Sequence, residues 1–294
     1  MMPADSERTP GQVMCSRCKR RKALYLRTSS GEALCLQCLR DEVMRQASRS
    51  LASAGLSLRA TLLVPISSFA PSASLLAAIL TASIERRFKS RVIVAIPSFY
   101  EGLSSSFKLP EGLEGVTVDV RPWPPREADI ISCVRYDRAW STRAARLIGA
   151  DAVVASLSRT DLTALLLEAL LRGRPDEVFD SQPTLSVLGI KHVEVFSRIE
   201  REALAAIEFL EGLRLEPACR VLIKSKRVFM SVAGGPEMDY GALELSTKLA
   251  AEVKAPQLCM SCGAPSAGPL CDHCVALGLD RISVSLVGQH PGQA

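Results

Sequence analysis

Residues 60–84 read ATLLVPISSFAPSASLLAAILTASI, twenty-five positions without a charged side chain. A helix crossing a bilayer needs about 20 predominantly apolar residues in one run, and Pro65, Pro71 and scattered serines interrupt this one. The stretch therefore reads as a buried strand over Arg59–Ile66, a turn, and a helix over Ser72–Phe88 that ends at Glu85-Arg86-Arg87. Outward from it, Arg91–Ile96 (RVIVAI), Val116–Val120 and Asp151–Ala155 (DAVVA) repeat the short apolar run. Asp137–Ile148 and Thr160–Arg172 carry apolar residues at helical spacing and stop at Gly149 and Gly173. Arg201–Leu213 and Ala242–Val253 read as further helices, while 175–200 shows no clear period. Short buried strands alternating with helices predict an α/β fold, a doubly wound parallel sheet of about five strands covered on both faces. Ligands of such sheets lie outside the carboxyl ends of the strands, which puts Ser67–Ser72 and Ser156–Asp161 around one crevice with Cys133 nearby.

The composition suits a globular chain, with 48% hydrophobic and 23% charged residues. The net charge of +5 is unevenly spread: residues 1–60 hold 11 basic and 5 acidic side chains, whereas 61–254 balance at 24 of each. The polar start, Met-Met-Pro-Ala-Asp-Ser-Glu-Arg, has no signal-peptide pattern. A reducing, cytoplasmic location away from membranes is expected.

Eight of the 10 cysteines fall as Cys-x-x-Cys pairs, two pairs near each end, and only Cys133 and Cys219 lie between. That layout disfavours a disulfide scaffold. Cys15 and Cys18 are followed after sixteen residues by Cys35 and Cys38; Cys259 and Cys262 are followed after eight by Cys271 and Cys274. A two-residue gap lets one tight turn aim both sulfurs at one ion, so each set of four can close a tetrahedron. Redox-active pairs and inert buried thiols are the other readings; two complete pairs at each end favour two structural zinc sites. Common ferredoxin spacings differ from these, so an iron–sulfur cluster is not expected there. His273, between two better ligands, reads as a surface residue.

The chain then divides into an N-terminal Cys₄ knuckle with a basic helix (1–57), the α/β domain (58–254), a C-terminal Cys₄ knuckle (255–284) and a frayed tail (285–294). Around the first knuckle stand Arg17, Lys19, Arg20, Arg21, Lys22 and Arg27. A solvated basic face is the bland reading. A rigid knuckle with five cations in six residues also suits phosphate contacts. With only 5% aromatic residues, shape and phosphate contacts with folded RNA fit better than stacking on exposed rings as the main source of affinity.

This layout resembles the tRNA 2-thiouridine synthetase family, the zinc-flanked ATP pyrophosphatases (PP-loop proteins) that include the cytosolic tRNA thiolation proteins. Gly31-Glu32-Ala33-Leu34-Cys35 is similar to its first knuckle and Cys259–Leu277 to its last. Arg138, Gly149-Ala150-Asp151 and Leu170-Leu171-Arg172-Gly173 fall where the family has Arg, Gly-Ala-Asp and Leu-Leu-Arg-Gly. The resemblance implies an adenine nucleotide alpha hydrolase-like fold. It also implies a phosphate-cradling Ser-Gly-Gly-Lys-Asp-Ser loop, but the matching segment is Ser67-Ser68-Phe69-Ala70-Pro71-Ser72. Only the outer serines, Ser67 and Ser72, are kept. Both glycines and the lysine are gone and Pro71 removes an amide donor, so ATP is not expected to bind. The family's Gly-His-Asn-Leu-Asp-Asp-Glu motif corresponds to 156–162, where Asp161 alone remains and reads as a helix N-terminal residue.

In the family a Cys-x-x-Cys and a distant cysteine hold sulfur or an iron–sulfur cluster. Here Ile130 takes the first position, Cys133 the second and Cys219 the third, so an iron–sulfur cluster is not expected here either. Buried thiols are one reading of Cys133 and Cys219, a disulfide or persulfide relay the other. Together these features imply a degenerate paralogue, a pseudoenzyme that binds tRNA and acts in thiolation with an active paralogue or a second copy of itself. A working sulfurtransferase using Cys133 and Cys219 with unconventional or no ATP use is the alternative. A zinc-dependent scaffold with no RNA role is the third.

Overall fold

The computed structural model describes residues 13–100, 113–222, 236–253 and 257–287; residues 1–12 of the expected head and 288–294 of the expected tail lie outside them. An antiparallel pair, β1 (Tyr25–Leu26) and β2 (Ala33–Leu34), leads through Cys35 into helix α1 (Leu36–Ser53). The alternating part follows as β3 (Thr61–Pro65), α2 (Pro71–Glu85), β4 (Arg91–Pro97) and β5 (Glu114–Arg121). It continues with β6 (Glu127–Asp129), α3 (Ile130–Ile148), β7 (Ala152–Ala155) and α4 (Arg159–Leu171). Next come β8 (Thr184–Val187), β9 (Ile190–Glu194), α5 (Arg201–Leu210), β10 (Arg220–Leu222) and α6 (Pro236–Glu252). The chain closes with β11 (Gln257–Leu258), β12 (Pro265–Ser266), α7 (Asp272–Ala276) and β13 (Ser283–Leu286).

The main sheet has seven strands in the order β13-β5-β4-β3-β7-β9-β8. The five inner strands are parallel, and β13 and β8 cap the edges antiparallel. The order reverses between β3 and β7, the switch point at which such sheets open a crevice. Two expectations change here. The sheet is mixed rather than wholly parallel, and Ser285 and Leu286, read as frayed tail, pair with Asp119 and Val118 of β5.

Side chains alternate across the central strands. Leu62, Val64, Val94 and Val154 face one side with Leu39, Val43, Leu76 and Leu204; Leu63, Ile93, Val118 and Val153 face the other with Tyr136, Trp140, Ala144 and Leu279. The first core includes Cys15, Cys35 and Cys38; the second includes all four C-terminal knuckle cysteines. Each knuckle is thus built into one face of the sheet. Gly263 follows the Cys-x-x-Cys turn with φ +72°, and a Cβ there would stand 2.7 Å from Val187 Cγ1. Only glycine suits both that backbone and that approach.

Helix α3 starts seven residues before the expected Asp137 boundary. Asp129 caps it by accepting from the Ser132 amide at 3.0 Å, and Ile130, Ile131 and Val134 bury against Leu157, Leu162 and Leu165. The unread region 175–200 holds the β8–β9 hairpin, turned at Leu188 and Gly189, both at positive φ. Among the described residues no helix is long and apolar enough to cross a membrane.

Candidate functional site

The two cysteine sets assemble as four-thiol groups, Cys15, Cys18, Cys35, Cys38 and Cys259, Cys262, Cys271, Cys274, with all sulfurs of a set within 4.8 Å of one another. Cys18 and Cys35 Sγ are 3.8 Å apart, and Cys262 and Cys271 Sγ are 3.7 Å apart. With metal–sulfur bonds of about 2.3 Å, a tetrahedron around a single ion has an edge of about 3.8 Å, so both groups fit one metal ion each. Backbone amides, that of Cys18 foremost, draw the Cys15 thiol down to about 6 against its burial, while burial and the neighbouring sulfurs push Cys38 up to about 12. His273 belongs to neither group and is not at the surface as expected. Its side chain is 11% exposed, with Nδ1 2.7 Å from Ser132 Oγ and Nε2 2.9 Å from Glu177. It ties the C-terminal knuckle to the first turn of α3.

The expected RNA-binding set separates into two kinds. Arg17 reaches Glu32 at 3.1 Å and Glu42 at 2.7 Å, and Arg27 reaches the same two carboxylates at 2.7 and 2.6 Å. These two arginines tie the knuckle to α1. Lys19, Arg20, Arg21 and Lys22 are exposed, and among the described residues they have no ion pair. They are the free cations of the set.

Cys133, in the first turn of α3, and Cys219, just before β10, bring their sulfurs to 2.8 Å. Both are 1% exposed. The contact with Cys219, and then burial, hold the Cys133 thiol well above its usual range. The Cys219 amide donates to Ser68 O at 2.9 Å, so this segment is bound to the loop after β3.

That loop is closed by the chain's own oxygens. Asp137 of α3 accepts from Ser67 Oγ at 2.7 Å, from the Ser68 amide at 2.9 Å and from Trp140 Nε1 at 3.1 Å. Ser67 Oγ accepts from the amides of Phe69 and Ala70 at 3.2 and 3.1 Å, and Ser74 Oγ from that of Ser67 at 3.0 Å. All four amides of residues 67–70 are therefore taken, and Pro71 has none. Ser72 Oγ faces elsewhere, accepting from the Leu215 amide at 3.0 Å.

The loop after β7 is closed in the same way. The Leu157 amide donates to Glu194 at 2.8 Å, and Ser158 with Asp161 forms a capping box on α4. Ser74 Oγ and Ser156 Oγ, 3.0 Å apart, join the two loops. The space left between them is small, about 40 Å³. Burial raises Asp137 to about 6 and Glu194 to about 7, and burial with the nearby Arg138 charge lowers His192 to about 3. Sequence reasoning missed Asp137, His192 and Glu194. Asp137 gave no signal of its own, since it stood at the expected start of a helix, where a carboxylate is ordinary.

Folded Glu194 keeps a proton that the unfolded chain releases near the ordinary value of 4.5. Its contribution therefore falls as pH rises from there to about 7 and is flat above. Glu194→Gln should remove that slope, gaining on the order of 2–3 kcal/mol on the parent between pH 5 and pH 8. Urea unfolding of both proteins at the two pH values checks it; equal slopes would show Glu194 to ionise normally.

No family model matches the chain, and no curated protein does either. Solved structures do match. The U34-tRNA thiolase NcsA from Methanococcus maripaludis, solved with its [4Fe-4S] cluster, is 17% identical over 91% of this chain and 96% of its own, with a TM-score of 0.69. This corrects the expectation that set iron–sulfur clusters aside, since a protein with this architecture along nearly its whole length carries one. In the present chain Cys133 and Cys219 place two thiols together at the centre, whereas each terminal group has the spacing of a single ion. The parallel-dominant α/β sheet of this chain, here flanked by two Cys₄ groups, shares its fold with that structure.

Proposed function

We propose that the chain is a tRNA-binding, non-catalytic relative of the tRNA 2-thiolation enzymes, acting in uridine thiolation beside an active paralogue or another copy of itself. The observation that carries this reading is the Asp137 carboxylate, which accepts from Ser67, Ser68 and Trp140 where a phosphate cradle would need free donors. The similarity to NcsA, a U34-tRNA thiolase, supports the tRNA part. So do the four free cations of the first knuckle.

Zinc is the metal we assign to each Cys₄ group, on the sulfur spacings and the four-thiolate donor set. Metal analysis of the purified protein should find two zinc ions per chain. Any other metal, or a single ion, would overturn the assignment.

A second reading is favoured by one observation, the 2.8 Å approach of Cys133 and Cys219. A persulfide taken up by one cysteine from a sulfane-sulfur donor can be attacked by the other thiolate. A disulfide forms, hydrosulfide leaves, and an external dithiol restores the pair.

Three measurements separate these readings. Titration calorimetry should detect no ATP binding, and a measurable ATP site would end the non-catalytic reading. tRNA affinity should drop about 50- to 150-fold between about 50 and 200 mM salt if all four cations meet phosphates, and alanine at Lys19, Arg20, Arg21 and Lys22 should flatten that dependence. An unchanged salt slope in this variant would remove the knuckle from the interface. Purified protein given tRNA, a sulfane-sulfur donor and a dithiol should form no thiolated nucleoside; formation that is lost in Cys133→Ser would establish the second reading instead.

A further inference from the structure

Away from the closed crevice, a cavity of about 260 Å³ lies among the N-terminal knuckle, α1, the start of α4 and the segment after β9. Its wall combines Arg27, Ser29 and Ser30 from the knuckle, Arg159 at the start of α4, Arg198 after β9, and Tyr240 on α6. Glu42 and Glu200 also line it, but Arg27 holds the first at 2.6 Å and Arg159 the second at 2.9 Å. Arg198 is exposed and has no partner among the described residues, so it offers its positive charge to the cavity. Tyr240 is 53% exposed, and the Arg159 guanidinium lies 4.2 Å from its ring centroid. The ring is a supported platform with much of its surface open.

An aromatic ring backed by a guanidinium, a lone arginine and two serine hydroxyls match the parts of a nucleotide. The ring offers stacking to a base, Arg198 pairs with a phosphate, and the hydroxyls can serve the ribose or the base edge. Arg198 and Tyr240 also border a second cavity of about 280 Å³. The two spaces share this wall, which extends the surface beyond one mononucleotide. We infer that this groove holds an unpaired nucleotide of an RNA chain. The inference rests on the tRNA reading and adds a place for a single-stranded element of that RNA.

Fluorescence anisotropy with transcribed tRNA and with a fully paired RNA duplex of similar length tests it. Tyr240→Ala should weaken tRNA binding about tenfold, as loss of one stacked base does, with the salt slope unchanged and recovery in Tyr240→Phe. Arg198→Ala should weaken it and lower the salt slope by about 0.7–0.9. Neither change should affect the duplex, and AMP or UMP should bind far more weakly than tRNA. Parental affinity in both variants, while loss of the four knuckle cations weakens binding, overturns the groove and leaves the tRNA reading intact. Failure of the parent to bind tRNA overturns the tRNA reading and the groove with it. Mononucleotides binding as tightly as tRNA would make this a free-nucleotide pocket and overturn the RNA assignment.

Discussion

The Asp137 carboxylate is the constraint around which the centre of this molecule is arranged. It is half-buried, and burial, against the lowering effect of its own hydrogen bonds, holds its pKa up at about 6. An unpaired buried acceptor costs about 1–3 kcal/mol or more, so it is retained only with its donors in place. Ser67, Ser68 and Trp140 supply them. Because Asp137 sits on α3 and the serines follow β3, this contact fixes the helix that carries Cys133 against the strand at the middle of the sheet. The carboxylate does within the chain what a bound anion would do from outside.

The rest of the fold concerns the periphery. Each Cys₄ group is part of the apolar layer on one face of the sheet, so its metal would hold more than a surface ornament. The first brings Lys19–Lys22 to solvent on a turn stiffened by the Arg17 and Arg27 ion pairs, and sets Arg27, Ser29 and Ser30 opposite Arg198 and Tyr240. The second reaches α3 through His273 and Ser132. None of these contacts involves the loop after β3, so the two knuckles are held independently of it.

The strands 61–65, 91–97 and 152–155 were legible because burial on both sheet faces demands continuous apolar runs, and the cysteine sets because a tetrahedron demands paired spacing. What the sequence concealed depends on distant partners. Arg17 and Arg27 look like free cations until folding brings Glu32 and Glu42 to them. The β8–β9 hairpin lacks the Asn-Gly turn that would announce it, since Leu188 takes the first positive-φ position. The first two turns of α3 went unread because their apolar face meets α4, not the sheet. Tyr240 was invisible in a chain so poor in aromatic residues, and only the cavity beside Arg198 gives it meaning.

The closed loop and the cysteine pair are a single arrangement. Segment 213–222 is fastened to the loop at Leu215 through Ser72, at Ala218 through Tyr100 and at Cys219 through Ser68 O. The same Tyr100 hydroxyl donates to Ser67 O and Ser68 O. Cys219 therefore meets Cys133 because the loop is shut. The approach of the two thiols and the closure of the loop after β3 thus rest on one segment, 213–222.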